Sequence, residues 1–446
     1  MIMKRAFIQF LFILVVTTFS IQAVASIKIQ EFDTAKNIHV IFVEDPTARL
    51  TTVTFAFKEV GSATDPHGKE GLTSLMAHLL MERSRGEDGL DKHAIDKELK
   101  SIGVLNGINY SVAADNIVYS FKAPNETLKE TFDILNLIFT DQRFDAVELN
   151  KAQNYDPPEA RLATASERGF ASKILIHNLF HGHPYAHPAY GTLDGRQSVT
   201  LADIKQAAKQ KFTRKNLVVS VIGNVSKRTL SPLIDKAFGD LPAGTAQSLP
   251  NIASPKLQLS GNIQFIPKST PQSGVTFGQI GVSPKDPDYL AFLVLNDIIS
   301  GKPFTSRLWQ EVRENRGLVY DIQTEIVHWQ NAALLLGGFE SENAKVQEVI
   351  ECIRKEWQEV QTKGVTEAEF KSSKTGLLGG FALNFASPDG VISYLLTSHL
   401  GGLPVDYINK RNELLQKVTL EDVNRVAKKW LDAKNLTFVV VGDTQR

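Results

Sequence analysis

Two stretches of this chain repeat one another without gaps. The first, VTLADIKQAAKQKFTRKNLVVSVIGNV, starts at Val199, and the second, VTLEDVNRVAKKWLDAKNLTFVVVGDT, starts at Val418, an offset of 219 residues (418 − 199). Each copy predicts a capping threonine, an amphipathic helix and a buried β-branched strand ending at glycine. The threonines and glycines are Thr200, Thr419, Gly223 and Gly442. A repeat this long indicates duplication of a whole domain, so the chain must fold as two related halves.

A second pair of matching segments lies at nearly the same offset. Val53-Thr54-Phe55 corresponds to Val275-Thr276-Phe277, and Asp65-Pro66 corresponds to Asp286-Pro287. Both copies predict a strand that leads through a turn into an apolar helix. Chance similarity between two common strand–helix units is the alternative, and two matching pairs at one offset argue against it.

The N-terminal residues have the pattern of an export signal. Lys4 and Arg5 precede the apolar run AFIQFLFILVVTTFS, and Ala23-Val24-Ala25 forms a small-residue cleavage site. We therefore predict a signal peptide over residues 1–25 and an exported, soluble protein in a bacterial periplasm. No later stretch is long and apolar enough to predict a membrane span.

The rest of the chain divides at a stretch rich in Pro, Ser and Ala. Residues 242–255 predict a linker between a first domain, residues 26–241, and a second, residues 256–446. The composition, 43% hydrophobic and 22% charged, suits globular domains with large cores. Basic and acidic residues balance at 49 each, which argues against nucleic-acid binding. Cys352 is the single cysteine, so no intrachain disulfide can form.

The stretch GLTSLMAHLLMERS, which starts at Gly71, predicts a helix with one buried face. That face comprises Leu72, Leu75, Met76, Leu79 and Leu80. Ser74 and His78 are four residues apart and share another face. Two histidines at this spacing can hold zinc, although catalytic zinc needs three protein ligands and an open position for water.

This stretch resembles the zinc helix of the insulinase/pitrilysin peptidase family, whose inverted zinc motif is H-x-x-E-H. The flanking Gly-Leu and Leu-Leu place the motif on residues 74–78. The resemblance puts Ser74 and His78 at the two ligand positions and Ala77 at the position of the carboxylate that activates water. The family's third ligand, a distant glutamate, falls on Asn154. The metal site is therefore degenerate, and we expect no zinc cofactor in this chain.

Other side chains could replace the missing ligands. Asp156 is the carboxylate nearest to the third position, but Pro157-Pro158 would break the helix that presents it. The segment LFHGHPYAHPAYG carries a separate cluster of His181, His183 and His187, which could bind metal. Family members have a similar HPYxHPxxG segment as a structural loop, so we favour a structural role for these histidines.

The second half contains the segment SGKPFTSRLWQEVRENRGLVYDIQ, which starts at Ser300. It predicts a helix that is capped by Thr305 or Ser306 and ends at Gly317. A strand containing Tyr320 should follow.

This segment resembles the second-domain segment of the same family, in which an arginine and a tyrosine seven residues later face the zinc from the opposite wall. The pair falls on Arg313 and Tyr320. A guanidinium and a phenol can donate hydrogen bonds to a peptide carbonyl and to the oxyanion formed when water attacks it. The alternative is a solvated helix arginine and a half-buried strand tyrosine. The family's glycine-rich loop is reduced here to Gly301.

The resemblance implies an α+β fold of two homologous domains, each a mainly antiparallel sheet with flanking helices, that together form half of a clamshell. In two-chain members, one subunit bears zinc and the other supplies the Arg–Tyr wall. The resemblance implies the second role, with an exported zinc-bearing homologue as heterodimer partner, zinc in that partner, and peptides or unfolded segments as substrate. Two alternatives are a stand-alone structural or peptide-binding homologue and an active metallopeptidase with unorthodox ligands.

Overall fold

The computed structural model describes residues 27–82, 91–155, 157–244 and 252–443. The predicted signal peptide, Asp156 and the middle of the predicted linker lie outside these ranges. We call residues 27–244 the first half and residues 252–443 the second half. Among the helices so described, none combines the length and apolarity needed to cross a membrane.

The strands of the first half are β1 (Ile29–Asp33), β2 (His39–Glu44), β3 (Leu50–Lys58), β4 (Asn109–Val112), β5 (Asn116–Pro124) and β6 (Leu217–Gly223). Its helices are α1 (Leu72–Met81), α2 (Lys92–Ser101), α3 (Leu128–Thr140), α4 (Ala146–Asn154), α5 (Pro158–Thr164), α6 (Glu167–Leu179), α7 (Leu193–Ser198), α8 (Leu201–Lys211) and α9 (Lys227–Phe238).

The strands of the second half are β7 (Ile263–Pro267), β8 (Gln272–Ile280), β9 (Ile322–Trp329), β10 (Ala332–Glu342) and β11 (Thr437–Gly442). Its helices are α10 (Tyr289–Ile299), a π-helix (Trp309–Asn315), α11 (Val346–Lys363), α12 (Glu367–Gly380), α13 (Pro388–Leu400), α14 (Tyr407–Lys417) and α15 (Leu420–Trp430).

The strands form two sheets with matching topology. Sheet A has the order β1-β2-β6-β3-β5-β4, and sheet B has the order β7-β11-β8-β10-β9. Without β1, sheet A has the same connectivity as sheet B. Each sheet contains one parallel pair, β2–β6 or β7–β11, and its other pairs are antiparallel. The predicted α+β fold class is therefore confirmed.

The repeated segments adopt the same local structure in both halves. Thr200 begins α8 by accepting a hydrogen bond from the backbone N–H of Asp203 at 3.2 Å, and the Asp203 carboxylate accepts one in return. Thr419 and Asp422 form the same capping box at the start of α15. Each box satisfies backbone groups that have no partner within the helix, which fixes where the helix begins.

Each sheet buries one face beneath helices of its own half. Along β3, Val53, Phe55 and Phe57 are fully buried on the face that packs against α1, α3, α8 and α9. Along β8, Val275 and Phe277 face α10, α11 and α15 in the same way. The spacing of two residues follows from the pleat, which turns successive side chains to opposite faces.

The other face of each sheet is covered by a helix from the opposite half. Helix α6, from the first half, lies on sheet B, where Leu175 shares a buried cluster with Leu336 and Val439. Helix α13, from the second half, lies on sheet A, where Leu396 shares a buried cluster with Ile41. The two halves therefore exchange equivalent covering helices.

The two exchanged helices correspond to one another in the repeat. Ser166 caps α6 by accepting from the Gly169 N–H, and Ser387 caps α13 by accepting from the Gly390 N–H, both pairs at an offset of 221 residues (387 − 166). The start of α6 approaches β8 so closely that a Cβ on Gly274 would lie 2.1 Å from the Arg168 backbone nitrogen. Only glycine fits at that position of the strand.

We predict that Leu175→Ala and Leu396→Ala, at equivalent positions of α6 and α13, each lower the free energy of unfolding by about 2–5 kcal/mol. Both side chains are buried between the halves, so each variant should shift one common thermal transition. Differential scanning calorimetry measures this, with the exposed Leu383→Ala as control. Two separate transitions, of which only one moves, would contradict the exchange as a coupling between halves.

Candidate functional site

A buried ion pair anchors the start of α1, the helix with the degenerate zinc motif. The Asp65 carboxylate accepts hydrogen bonds from the N–H groups of Gly71 at 3.0 Å and Thr73 at 3.1 Å. Its oxygen also lies 3.2 Å from the Lys211 Nζ in α8. Burial lowers the pKa of Lys211, and the Asp65 charge opposes that shift. A carboxylate at a helix N-terminus is favourable, and here it also ties α1 to α8.

Helix α1 has the predicted buried face, and the residues at its motif positions are partly or fully buried, one of them in contact with a neighbouring strand. Ser74 and His78 lie on a partly buried face, whereas Ala77 is fully buried. A hydrogen bond of 3.0 Å joins His78 Nδ1 to the hydroxyl of Tyr110 on β4, the edge strand of sheet A. His78 therefore connects α1 to this edge.

Asn154, the position predicted for the third ligand, is the last residue of α4, which packs against α1. Its Nδ2 donates to the Asn150 carbonyl at 2.9 Å, and its Oδ1 accepts from Gln197 Nε2 at 3.1 Å. Helix α4 ends there, and the next helix, α5, begins at Pro158, as the proline pair predicts. One imidazole, one hydroxyl and one amide do not fit a catalytic zinc ion, which needs three good ligands and an activated water.

The histidine-rich loop uses His183 to hold the chain together. Its Nδ1 accepts from the Tyr185 N–H at 3.2 Å, and its Nε2 lies 2.8 Å from the Ala253 carbonyl oxygen. The rings of His181 and His187 lie 6.2 and 6.4 Å from that of His177. In the part of the chain that the structure describes, these histidines do not bring three ligand atoms together.

The predicted helix of the second half is a π-helix, a geometry that often occurs at functional sites. The predicted capping role of Ser306 is wrong, because its hydroxyl is buried and has no hydrogen-bond partner among the described residues. Gly317, with φ of +62°, ends the helix as predicted, and its N–H donates to the Arg313 carbonyl at 3.0 Å. After the helix, the Arg316 guanidinium donates to Glu311 and lowers the pKa of that carboxyl.

Arg313 lies against two aromatic rings. Its Cζ is 4.1 Å from the centre of the Trp309 ring and 5.8 Å from that of Phe304. Trp309 is buried and donates its indole N–H to Glu314 Oε1 at 3.0 Å, so this platform is fixed. Phe304 is 63% exposed and has a left-handed backbone with φ of +67°, which is rare for a bulky residue. Contact with the Trp309 ring restrains the guanidinium, whose side chain is 33% exposed and whose Nε lies 3.9 Å from Glu314 Oε1.

Tyr320 is 81% exposed, so the alternative of a half-buried residue is wrong. The prediction that Tyr320 lies in a strand is also wrong. Strand β9 begins two residues later, at Ile322. The intervening Asp321 lies 3.3 Å from the guanidinium of Arg168, which belongs to the exchanged helix α6. The first half therefore helps to fix the segment that presents the Tyr320 phenol.

The two candidate sites lie at corresponding edges of the two sheets. His78 contacts the edge strand β4, and Tyr320 immediately precedes the edge strand β9. Sequence reasoning missed Phe304 and Arg168 as parts of the second site. Arg168 is 153 residues from Asp321, a separation at which no spacing rule applies. The left-handed backbone of Phe304 could not be predicted from its residue type.

Fold and site together define a metallopeptidase homologue that lacks a complete set of catalytic zinc ligands. Residues 39–192 match the model of the insulinase family, peptidase family M16. Residues 198–377 match the model described as the peptidase M16 inactive domain. The chain belongs to the insulinase family.

Relatives with this fold cover nearly the whole chain. The non-peptidase homolog YmxG of Helicobacter pylori is 24% identical over 440 residues, 98% of this chain and 99% of that protein. The mitochondrial-processing peptidase subunit beta of Saccharomyces cerevisiae is 21% identical over 408 residues, 87% and 86% of the two chains. A crystal structure of a peptidase M16 inactive domain from Pseudomonas fluorescens shares the fold, with a TM-score of 0.84, 24% identity and coverage of 94% and 98%.

We predict that Ser74→His with Ala77→Glu does not create a peptidase. The double variant has two histidines and a carboxylate, but Asn154 still offers an amide where a third ligand is needed. Hydrolysis of a fluorogenic peptide with added zinc measures the outcome, and circular dichroism checks folding because Ala77 is buried. Ser74→His alone is the matched control and should be as inactive as the wild type. Robust turnover by the double variant would show that the third ligand lies elsewhere.

Proposed function

We propose that this chain is the zinc-less subunit of an exported insulinase-family peptidase and that it supplies Arg313 and Tyr320 to the site of a zinc-bearing partner. The observation that carries the proposal is the contrast between its two sites. Of the three zinc-ligand positions only His78 still carries a ligand, and the general base is absent, whereas Arg313 rests on the buried Trp309 ring and Tyr320 is 81% exposed. A chain retaining only the second set can contribute only to chemistry that another chain performs.

The chemistry of the pair suits hydrolysis of a peptide bond. Attack of water on a peptide carbonyl creates an oxyanion, and donors already held in position stabilise it without further reorganisation. Arg313 offers a planar fork of N–H donors, which stacking on Trp309 orients. Tyr320 offers one phenolic donor on a segment that the Arg168–Asp321 ion pair restrains.

The exposed surface at this site supports association with another chain. Phe304, Arg313 and Tyr320 are of residue types that are enriched at protein–protein interfaces. The exposed Phe304 against Arg313, together with the exposed Tyr320 at the start of the next segment, would suit an extended peptide. The yeast relative is named as a subunit, which supports a role within an assembly. Because an export signal is predicted over residues 1–25, we expect that assembly outside the cytoplasm.

Extended peptides or unfolded segments are the substrate class that the edges favour. Strands β4 and β9 end their sheets, so each has one side whose backbone groups can pair with an added strand. Main-chain hydrogen bonds of this kind bind peptides with little dependence on side chains. The edge beside Tyr320 would then align a peptide carbonyl with the Arg313 and Tyr320 donors.

We expect Tyr320→Phe and Arg313→Lys to reduce turnover by the assembled enzyme without preventing assembly. Loss of one oxyanion donor typically costs about 100- to 1,000-fold in kcat. Tyr320→Phe removes only an exposed hydroxyl, and Arg313→Lys keeps the charge but loses the planar fork. Each variant is co-expressed and co-purified with the zinc-bearing partner, and cleavage of a fluorogenic peptide is compared at equal complex concentration.

Two matched variants provide the controls for this experiment. Tyr155→Phe removes an exposed phenol from the first half, and Arg316→Lys changes a neighbouring arginine that pairs with Glu311. Both should retain the wild-type rate. If Tyr320→Phe and Arg313→Lys also retain it, the pair is structural, and a stand-alone scaffold or peptide-binding role is favoured instead.

We further expect that the isolated chain does not hydrolyse peptides, with or without added zinc. Its motif lacks one ligand and the general base, and Asn154 replaces the third ligand, so we expect no activated water at His78. Assay of the chain purified alone, before and after mixing with its partner, measures this. Activity of the chain alone that a chelator abolishes and zinc restores would favour the alternative of a peptidase with unorthodox ligands.

A further inference from the structure

The structure brings two histidines and a glutamate together far from the degenerate zinc motif. Glu31, His39 and His399 each offer a ligand atom, and these atoms all lie within 4.8 Å of one another. We propose that they bind one divalent transition-metal ion, with zinc as the first candidate, at a structural site joining the two halves. This site is independent of the proposed subunit function and of any peptidase activity.

The three ligands come from three elements. Glu31 lies on β1 and His39 begins β2, its antiparallel neighbour. His399 lies near the end of α13, the helix that the second half places on sheet A. The two imidazole rings are stacked, with centroids 5.2 Å apart and planes inclined by 20°. A bound ion would therefore fasten the exchanged helix to the outer strands of the sheet that it covers.

A carboxylate fixes the orientation of the His39 ring. Nδ1 of His39 lies 3.1 Å from Asp33 Oδ1, so in the neutral ring this nitrogen carries the proton and Nε2 carries the lone pair. Metal-binding histidines usually donate the N–H of the nitrogen that faces away from the ion to a carboxylate, a backbone carbonyl or water. Asp33 therefore already holds the tautomer that a metal would require.

On the other side of the ring, the contact between His39 Nε2 and Glu31 is favourable only if a positive charge lies between the two atoms. His39 Nε2 is buried and lies 3.1 Å from Glu31 Oε1, yet their alignment does not make a hydrogen bond. Two acceptors at this distance repel one another unless a proton or a cation lies between them. A proton on Nε2 would be poorly directed towards the carboxylate, so a cation located off the line between the two atoms satisfies both better.

The distance itself fits a pair of metal ligands. Ligand atoms about 2.0–2.2 Å from a tetrahedral zinc ion lie about 3.4 Å from one another, off each other's lone-pair axes. The His39–Glu31 separation of 3.1 Å is close to that value. Two imidazoles and one carboxylate favour zinc, copper(II) or nickel(II) over magnesium and calcium, which prefer oxygen ligands alone. A fourth position would remain open to water.

No spacing motif could reveal this group. His39 and His399 are 360 residues apart (399 − 39), and only the exchange of α13 brings them together. The expectation of no zinc in this chain rested on the H-x-x-E-H positions alone, and the present proposal departs from it. The present site uses none of those residues.

The test is zinc binding by the mature chain, purified without its partner, treated with chelator and dialysed. Calorimetric titration with zinc chloride, together with elemental analysis after gel filtration, should give one zinc per wild-type chain. His39→Ala and His399→Ala should each weaken zinc binding by at least tenfold, and Asp33→Asn should weaken it by about 10- to 100-fold. The fully exposed His67→Ala is the matched control and should bind as the wild type does.

Thermal unfolding provides a second readout. Because the ion would bind the folded chain and not the separated ligands, excess zinc should raise the Tm of the wild type but not that of His399→Ala. Where a histidine variant does not fold, Glu31→Gln, at an exposed position, replaces it in both measurements and should likewise weaken zinc binding.

Three outcomes would overturn the proposal. The first is no stoichiometric zinc in the wild type. The second is zinc retained by all of the ligand variants. The third is zinc lost on His78→Ala or His181→Ala instead, which would assign the ion to another site. None of these outcomes bears on Arg313 and Tyr320, so the proposed function is tested separately.

Discussion

Each sheet of this protein has two apolar faces, and each half supplies enough helices of its own to cover only one of them. The exchange of α6 and α13 resolves this, because each half covers the remaining face of the other. Burying apolar area is the main favourable contribution to folding, so neither sheet reaches its stable state alone. We therefore expect the two halves to unfold as one cooperative unit, although their sheets, apart from β1, have the same topology.

The Tyr320 segment and the group of Glu31, His39 and His399 both depend on the exchanged helices. Arg168, on α6, restrains the segment that presents Tyr320, and His399, on α13, meets His39 at the edge of sheet A. The contacts between halves therefore do more than bury apolar area, because they also hold polar groups in defined positions. By contrast, the degenerate motif on α1 is held within the first half by Asp65, Lys211 and Tyr110.

Local features of the fold were predictable from the sequence because local forces determine them. The repeat, the caps at Thr200 and Thr419 and the buried stripe of α1 follow from hydrogen bonding and from periodicity within a few residues. The loss of the zinc ligands was readable because a motif fixes their spacing. The exchange of helices could not be predicted, because the sequence of an apolar helix does not indicate which sheet it will cover. The exposure of Tyr320 and the π-helix likewise depend on tertiary packing.

The exchange also constrains how the chain can be made. The last strand of sheet A ends at Gly223, but α13 begins 165 residues later (388 − 223), at Pro388. A first half that folded before α13 was available would present the bare apolar surface of Ile41, Val43 and Ile222. Product stalled or truncated before Leu400 keeps that surface exposed to water and prone to aggregation. The first half must therefore wait for the second before its fold is complete.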